Sequence, residues 1–145
     1  MRNTPTTPTG PTNVLIVDDD DDLRALVSAT LRADGYTVVE ATDGLEAIDH
    51  VKRGLDFLTL RTDIMLTDVR MPNLSGLGLL EALTHAHVVL PIIVMTVMGD
   101  DSVRTVAKRL GAVGVLHKPF ELDDLRSAIL DAEQALVAAR AHRVV

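Results

Sequence analysis

Five short apolar runs punctuate the chain, and each is followed by residues spaced for one face of a helix. The first, Val14 to Val17, stops at five consecutive aspartates, Asp18 to Asp22. Leu23, Leu26, Val27, Thr30 and Leu31 then mark a helical face, with Asp20 as candidate cap and Gly35 as stop. Tyr36 to Ala41 reads as the second strand, and Asp43-Gly44 opens a helix that turns Leu45, Ile48 and Val51 inward. Between Lys52 and Thr62 the pattern leaves two options: Leu55, Phe57, Leu58 and Leu60 extend that helix by a turn or form a packed loop. Ile64 to Leu66 lead into Thr67-Asp68-Val69-Arg70-Met71-Pro72, a run that halts at one carboxylate, with a proline that keeps the strand from continuing. Asn73 to Gly76 is turn chemistry, and Leu77 to Leu83 is helical, with Leu79, Leu80 and Leu83 for burial. Pro91 to Met95 forms a fourth strand ending at Thr96. Ser102 is the expected cap of a helix carrying Val103, Val106, Ala107 and Leu110, stopped by Gly111. Val113 to Leu116 is the fifth strand, ending in His117-Lys118-Pro119-Phe120. Leu122, Leu125, Ile129, Leu136 and Val137 mark a closing helix that reaches about Ala141.

Strict alternation of strand and helix predicts an α/β fold: one five-stranded parallel sheet, doubly wound, with helices on both faces in three layers. Short apolar runs bounded by turns suit strands buried on both faces. One domain over residues 13–145, ending in an extended helix, covers the chain. The Pro- and Thr-rich tail, residues 1–12, has too few apolar groups to offset its ordering entropy and is expected to be disordered.

Composition narrows the functions available. Hydrophobic residues make up 47% of the 145, yet there are only two Phe, one Tyr and no Trp, so the core must be aliphatic. A net charge of −7 argues against direct nucleic-acid or anionic-membrane binding. The lack of cysteine excludes a disulfide framework and thiolate metal sites, and fits a reducing, cytoplasmic setting. The longest apolar stretch, Val88 to Met98, is interrupted by Pro91 and Thr96 and falls short of the about 20 residues a bilayer span takes. No secretion-type apolar segment opens the chain.

In doubly wound sheets, chemistry collects at the carboxyl ends of the strands, where the chain order reverses. Here those ends carry Asp18 and Asp19, Asp68, Thr96 and Lys118. If the first and third strands are neighbours, their carboxylates converge. Two like charges about 4 Å apart repel by about 4 kcal/mol at an effective dielectric of 20, so the cluster calls for a cation, a proton or a lysine. Carboxylate oxygens with positions left for water suit Mg²⁺. Lys118 supplies a point charge for an anion, and Thr96 a hydroxyl that donates to one. A carboxylate nucleophile, a divalent metal, an ammonium and a hydroxyl are the parts for in-line phosphoryl transfer onto Asp68. Asp20, Asp21 and Asp22 read as a helix start and a solvated face. His50, His85, His87, His117 and His142 show no ligand spacing with one another and are assigned no role.

The four motifs, Val17-Asp18-Asp19, Thr67-Asp68-Val69-Arg70-Met71-Pro72 with Gly76, Thr96, and Lys118-Pro119-Phe120, make the chain resemble the response-regulator receiver family over roughly Asn13 to Ala135. The resemblance implies the flavodoxin-like receiver fold with strand order 2-1-3-4-5, of which a chemotaxis receiver is a standing example. It implies a signalling phosphoacceptor and not an enzyme, with Asp68 taking phosphate from a histidine kinase or a histidine phosphotransfer protein. Asp19 and Asp68 would ligate Mg²⁺ directly, together with the backbone carbonyl of Arg70, and Asp18 would act mostly through water. Thr96 and Lys118 would contact the phosphoryl group, and Lys118–Pro119 looks like the family's cis peptide, aiming the lysine into the site. Output would run through a downstream protein target or self-association via the last two helices.

Departures from the family pattern keep other readings open. Val97 stands where the family usually has a small residue, and a branched side chain there would crowd the phosphoryl group. Val115 stands where an aromatic is common, so any relay to the face of the fourth helix, fifth strand and fifth helix would rest on Thr96 and loop motion. Arg70 and Met98 occupy positions that in the family tune phosphoryl lifetime. The two valines motivate a phosphorylation-independent scaffold. The Asp18–Asp20 spacing suggests an Asp-nucleophile phosphatase of the haloacid-dehalogenase type, which leaves Asp68 unexplained. A nucleotide-binding flavodoxin-like protein lacks its Gly-rich loop after strand one. The chain also reads as a receiver cut from a longer protein, its last helix starting a linker.

Overall fold

A computed structural model describes residues 12–97 and 101–143. The disordered tail expected at the amino terminus lies, apart from Thr12, outside the described residues, as does Met98. Among the described residues five strands and five helices alternate: β1 (Asn13–Val17), α1 (Asp21–Ala33), β2 (Thr37–Ala41), α2 (Gly44–Leu55), β3 (Ile64–Asp68), α3 (Gly76–His85), β4 (Ile92–Val97), α4 (Asp101–Arg109), β5 (Gly114–Lys118) and α5 (Leu122–Arg143). All pairings are parallel and the order is β2-β1-β3-β4-β5. Chain order therefore reverses between β1 and β3, which makes their carboxyl ends the switch point.

The sheet divides the core by residue parity. Val14, Ile16, Ile64, Leu66, Ile93 and Met95 pack with Val27 and Leu31 of α1 and Leu125, Ile129 and Ala132 of α5. Leu15, Val17, Met65, Ile92 and Val94 face the other way, onto Ala47 and Val51 of α2, Leu79, Leu80 and Leu83 of α3, and Ala107 of α4. All five residues of β3 are buried, as a central strand covered on both faces requires. The buried apolar side chains include no aromatic among the described residues.

Local chemistry explains the helix ends. Asp20 caps α1 by accepting from the Asp22 and Leu23 amides, Asp43 caps α2 and Ser75 caps α3. Gly35 and Gly111 end α1 and α4 with φ of 99° and 102°. Two stops carry no glycine. The Leu58 amide reaches the Arg53 carbonyl at 2.8 Å and Phe57 reaches Gly54 at 3.2 Å, a Schellman turn that holds Phe57 at φ 61°. His87 closes α3 in the same way, at φ 57°.

Several expectations are corrected. Of the two options for Lys52 to Thr62, the extra turn holds, since α2 runs past Val51 to Leu55 before the turn at Phe57 ends it, and the packed loop does not: Phe57 is 92% exposed, and Leu58 and Leu60 are exposed too. Leu45 points outward, because the inward face of α2 is the small-residue face, Gly44, Ala47, Val51 and Gly54. Gly44 lies so close to Leu74 that a Cβ would come within 2.7 Å of its carbonyl oxygen. Leu26, Val106 and Val137 lie outside the core. Ser102 falls inside α4, which already includes Asp101, and so is not its cap.

Candidate functional site

Three strands end on ionisable side chains that meet. Asp18 directly follows β1, and its amide still bonds to the Ala41 carbonyl at 3.1 Å, which extends the strand's alignment by one residue. Its side chain is buried, with Oδ1 accepting from the Asp20 amide at 2.9 Å and Oδ2 accepting from Lys118 Nζ at 3.0 Å. Asp19 is exposed beside it. Asp68 is the last residue of β3, its side chain 12% exposed, and its Oδ1 lies 3.1 Å from the same Nζ. One carboxylate oxygen from each of Asp18, Asp19 and Asp68 lies within 4.8 Å of the others.

The turn after β3 is built around close backbone contact. Val69 donates to the Met95 carbonyl, and Gly76 donates back to the Val69 carbonyl at 2.8 Å. A Cβ on Gly76 would sit 2.1 Å from the Asp68 carbonyl oxygen, so only glycine allows α3 to start against the strand that presents Asp68. Asn73, at φ 71°, ties the turn to α2 by donating to Asp43 at 2.9 Å.

Electrostatics set the character of the cluster. Burial pushes the Asp68 carboxyl above its ordinary range, and the like charge of Asp18 adds to this. The hydrogen bond and attraction of Lys118 oppose the rise without cancelling it. Burial also works against the Lys118 ammonium, but Asp18 and Asp68 outweigh it and hold the lysine above its ordinary value. Three carboxylates against one ammonium leave a surplus of two negative charges. Charge and oxygen donors together fit a hard divalent cation such as Mg²⁺.

Thr96 lies at the end of β4, one residue beyond Met95, the register partner of Asp68, and is 3% exposed. Arg70 is exposed in the loop two residues after Asp68. Val97, half exposed, is in register with Lys118, and the Lys118–Pro119 bond is cis. Val115 is half-buried within the α4-side core. Asp20, the second carboxylate of the phosphatase alternative, is spent on capping α1.

A family model described as the response regulator receiver domain matches residues 14–130. The chain belongs to the response regulator receiver family. It is 31% identical over 116 residues to sporulation initiation phosphotransferase F of Bacillus subtilis (strain 168), covering 80% of this chain and 89% of that protein. It is 40% identical to the two-component response regulator-like PRR73 of Oryza sativa subsp. indica over 79% of this chain, but spans only 15% of that protein. The solved structure of chemotaxis protein CheY4 from Vibrio cholerae superposes with a TM-score of 0.75 at 30% identity, covering 85% of this chain and 99% of that one. Receiver domains are signalling modules of two-component systems, and a phosphoacceptor role is general to the family. Among the described residues, no helix of this receiver is long and apolar enough to cross a membrane.

One supporting residue of the receiver site escaped the sequence reading. Arg24, 13% exposed on α1, donates to the Asp18 carbonyl at 2.7 Å, to Asp21 at 2.7 Å and to Glu40 at 3.1 Å. The i,i+3 pairing with Asp21 was available in the sequence, but the contacts to Asp18 and Glu40 depend on the β1–β2 pairing.

Proposed function

We propose that Asp68 is the phosphoacceptor of this receiver, charged by a histidine kinase or a histidine phosphotransfer protein, and that its phosphorylation switches protein–protein binding. The observation that carries the reading is the Lys118 ammonium held 3.0 Å from Asp18 and 3.1 Å from Asp68, with the Asp19 carboxylate alongside. A carboxylate oxygen of Asp68 attacks phosphorus, forming the O–P bond of an acyl phosphate. The P–N bond to the donor histidine breaks and its electron pair returns to the imidazole. Lys118 balances charge on the transferring group, and the Thr96 hydroxyl donates to one of its oxygens. Asp18, Asp19, Asp68 and the Arg70 carbonyl are the groups that would hold Mg²⁺, with Asp18 acting mostly through water. When bound, the ion would neutralise phosphoryl oxygen charge. Residues 13–145 would act as one domain, and the signal would reach a downstream protein or a second copy through the last two helices. The exchange fits a cytoplasmic setting and involves neither nucleic acid nor membrane directly.

Intact mass after incubation with acetyl phosphate and Mg²⁺ tests this. One added phosphoryl group on the wild type and none on Asp68→Asn is expected. No adduct on the wild type, with a kinase donor failing as well, would favour a phosphorylation-independent scaffold.

A further inference from the structure

The position at which the family commonly has an aromatic is filled by Val115, in register with Val94 on the sheet face that α4 covers. Side chains alternate along a strand, so the next residue of β5 on that face is His117. Its register partner is Thr96. Neighbouring strands lie about 4.8 Å apart, which makes the imidazole and the hydroxyl lateral neighbours at the carboxyl edge of the sheet. His117 is half-buried, yet its Nδ1 is shut off from solvent and has no hydrogen-bond partner among the described residues. A buried polar nitrogen without a partner is uncommon and disfavours the arrangement that holds it.

We infer that His117 is the positioning residue through which Thr96 reports phosphorylation, in place of the aromatic side chain that Val115 lacks. The inference rests on the phosphoacceptor reading of Asp68. A threonine hydroxyl has one proton and two lone pairs. When it gives that proton to a phosphoryl oxygen on Asp68, its lone pairs stay available, and the Nδ1–H tautomer of His117 can donate to one of them. The resulting chain, Nδ1–H to Oγ1–H to phosphoryl oxygen, polarises along its length. It gives the phosphorylated arrangement a hydrogen bond that the resting one lacks, which is the differential interaction a population shift requires. Because the ring stands on the α4 side of β5, its reorientation is delivered to that face.

The test uses the full chain, isotope-labelled at histidine, with Mg²⁺ and beryllofluoride as phosphoryl mimic. Fluorine NMR reports binding and nitrogen NMR reports the His117 ring. The expected result is a shift of the Nδ1 resonance on binding. Beryllofluoride affinity should weaken about fivefold or more in His117→Ala, the lower end of typical coupling. His117→Asn, which keeps a donor near the place of Nδ1, should restore it, whereas His117→Gln, which places one near Nε2, should not. In a Thr96→Val background His117→Ala should cost nothing further, a double-mutant result that a merely structural histidine would not give. Bound mimic with an unmoved Nδ1 resonance, or an equal His117→Ala effect in both backgrounds, would overturn the inference alone. No binding to the wild type would overturn the phosphoacceptor reading and this inference with it.

Discussion

Replacing Lys118 with methionine keeps roughly the side-chain volume but removes the one ammonium set between Asp18 and Asp68. The Asp18 side chain is 1% exposed and that of Asp68 12%, so water cannot take over the lysine's role. Two unit charges within 4.8 Å of each other repel by at least about 3 kcal/mol at an effective dielectric of 20. Stripping one partner from a buried pair typically costs about 3–5 kcal/mol. Both routes give the same size, which for a domain of this length is a fall in melting temperature of about 10–15 °C without Mg²⁺. The pH dependence has a definite sign. Asp68 already has a raised value in the folded protein, and losing the lysine raises it further. The folded variant then binds protons more readily than the unfolded chain, so its stability should recover as pH falls through the Asp68 value. In the wild type the sign for Lys118 is the usual one for a raised amine. Its contribution is full below the ordinary lysine value and is lost only as pH rises through the folded one, in the alkaline range. Urea titrations of wild type, Lys118→Met and Lys118→Met/Asp68→Asn at neutral and mildly acidic pH measure all of this. The second substitution, or added Mg²⁺, should return most of the loss. Equal stability of wild type and Lys118→Met at neutral pH, or a deficit that Asp68→Asn leaves untouched, would refute the charge argument.

Two further predictions follow from contacts around the same site. Gly76→Ala should lower unfolding free energy by at least about 2 kcal/mol in urea, because its Cβ meets the Asp68 carbonyl at 2.1 Å with backbone on both sides; a loss under about 0.5 kcal/mol would show that the turn yields. Arg24→Met should cost about 1.5–3 kcal/mol through its charged hydrogen bonds to Asp18, Asp21 and Glu40, and hydrogen exchange should be faster at Asp19 and Asp20 than at the β3 amides.

How far the chain could be read in advance follows from how local each determinant is. Strands were visible because apolar runs and turn residues are contiguous, and β3 in particular could be recognised as buried on both faces. The site was visible for the same reason: Asp18, Asp68, Thr96 and Lys118 each stand at a strand end, so the topology alone brings them to one edge. Helix faces were harder. Ranking residues by hydrophobicity turned Leu45 inward, whereas α2 approaches its neighbours along glycine and alanine, where a small side chain matters more than an apolar one. The stops at Phe57 and His87 carried no glycine signal, because a left-handed residue there is imposed by the Schellman bonds around it and not by its own preference.

Determinants that join distant parts of the chain left no local trace, and α5 shows what they decide. In the structure Arg140 donates to Asp63 Oδ1 at 2.8 Å, while the Asn13 amide donates to Asp63 Oδ2 at 2.8 Å. The Asn13 side chain in turn reaches the Arg61 carbonyl at 3.0 Å, and Asp63 returns a backbone bond to the Asn13 carbonyl at 2.9 Å. One carboxylate, its side chain 14% exposed, thus holds the start of β1, the approach to β3 and the end of α5 together at the amino-terminal edge of the sheet. Residues 63 and 140 are far apart in sequence, and nothing near either one announces the other. The pairing ties the end of α5 to the strands that present Asp18 and Asp68 at their opposite ends.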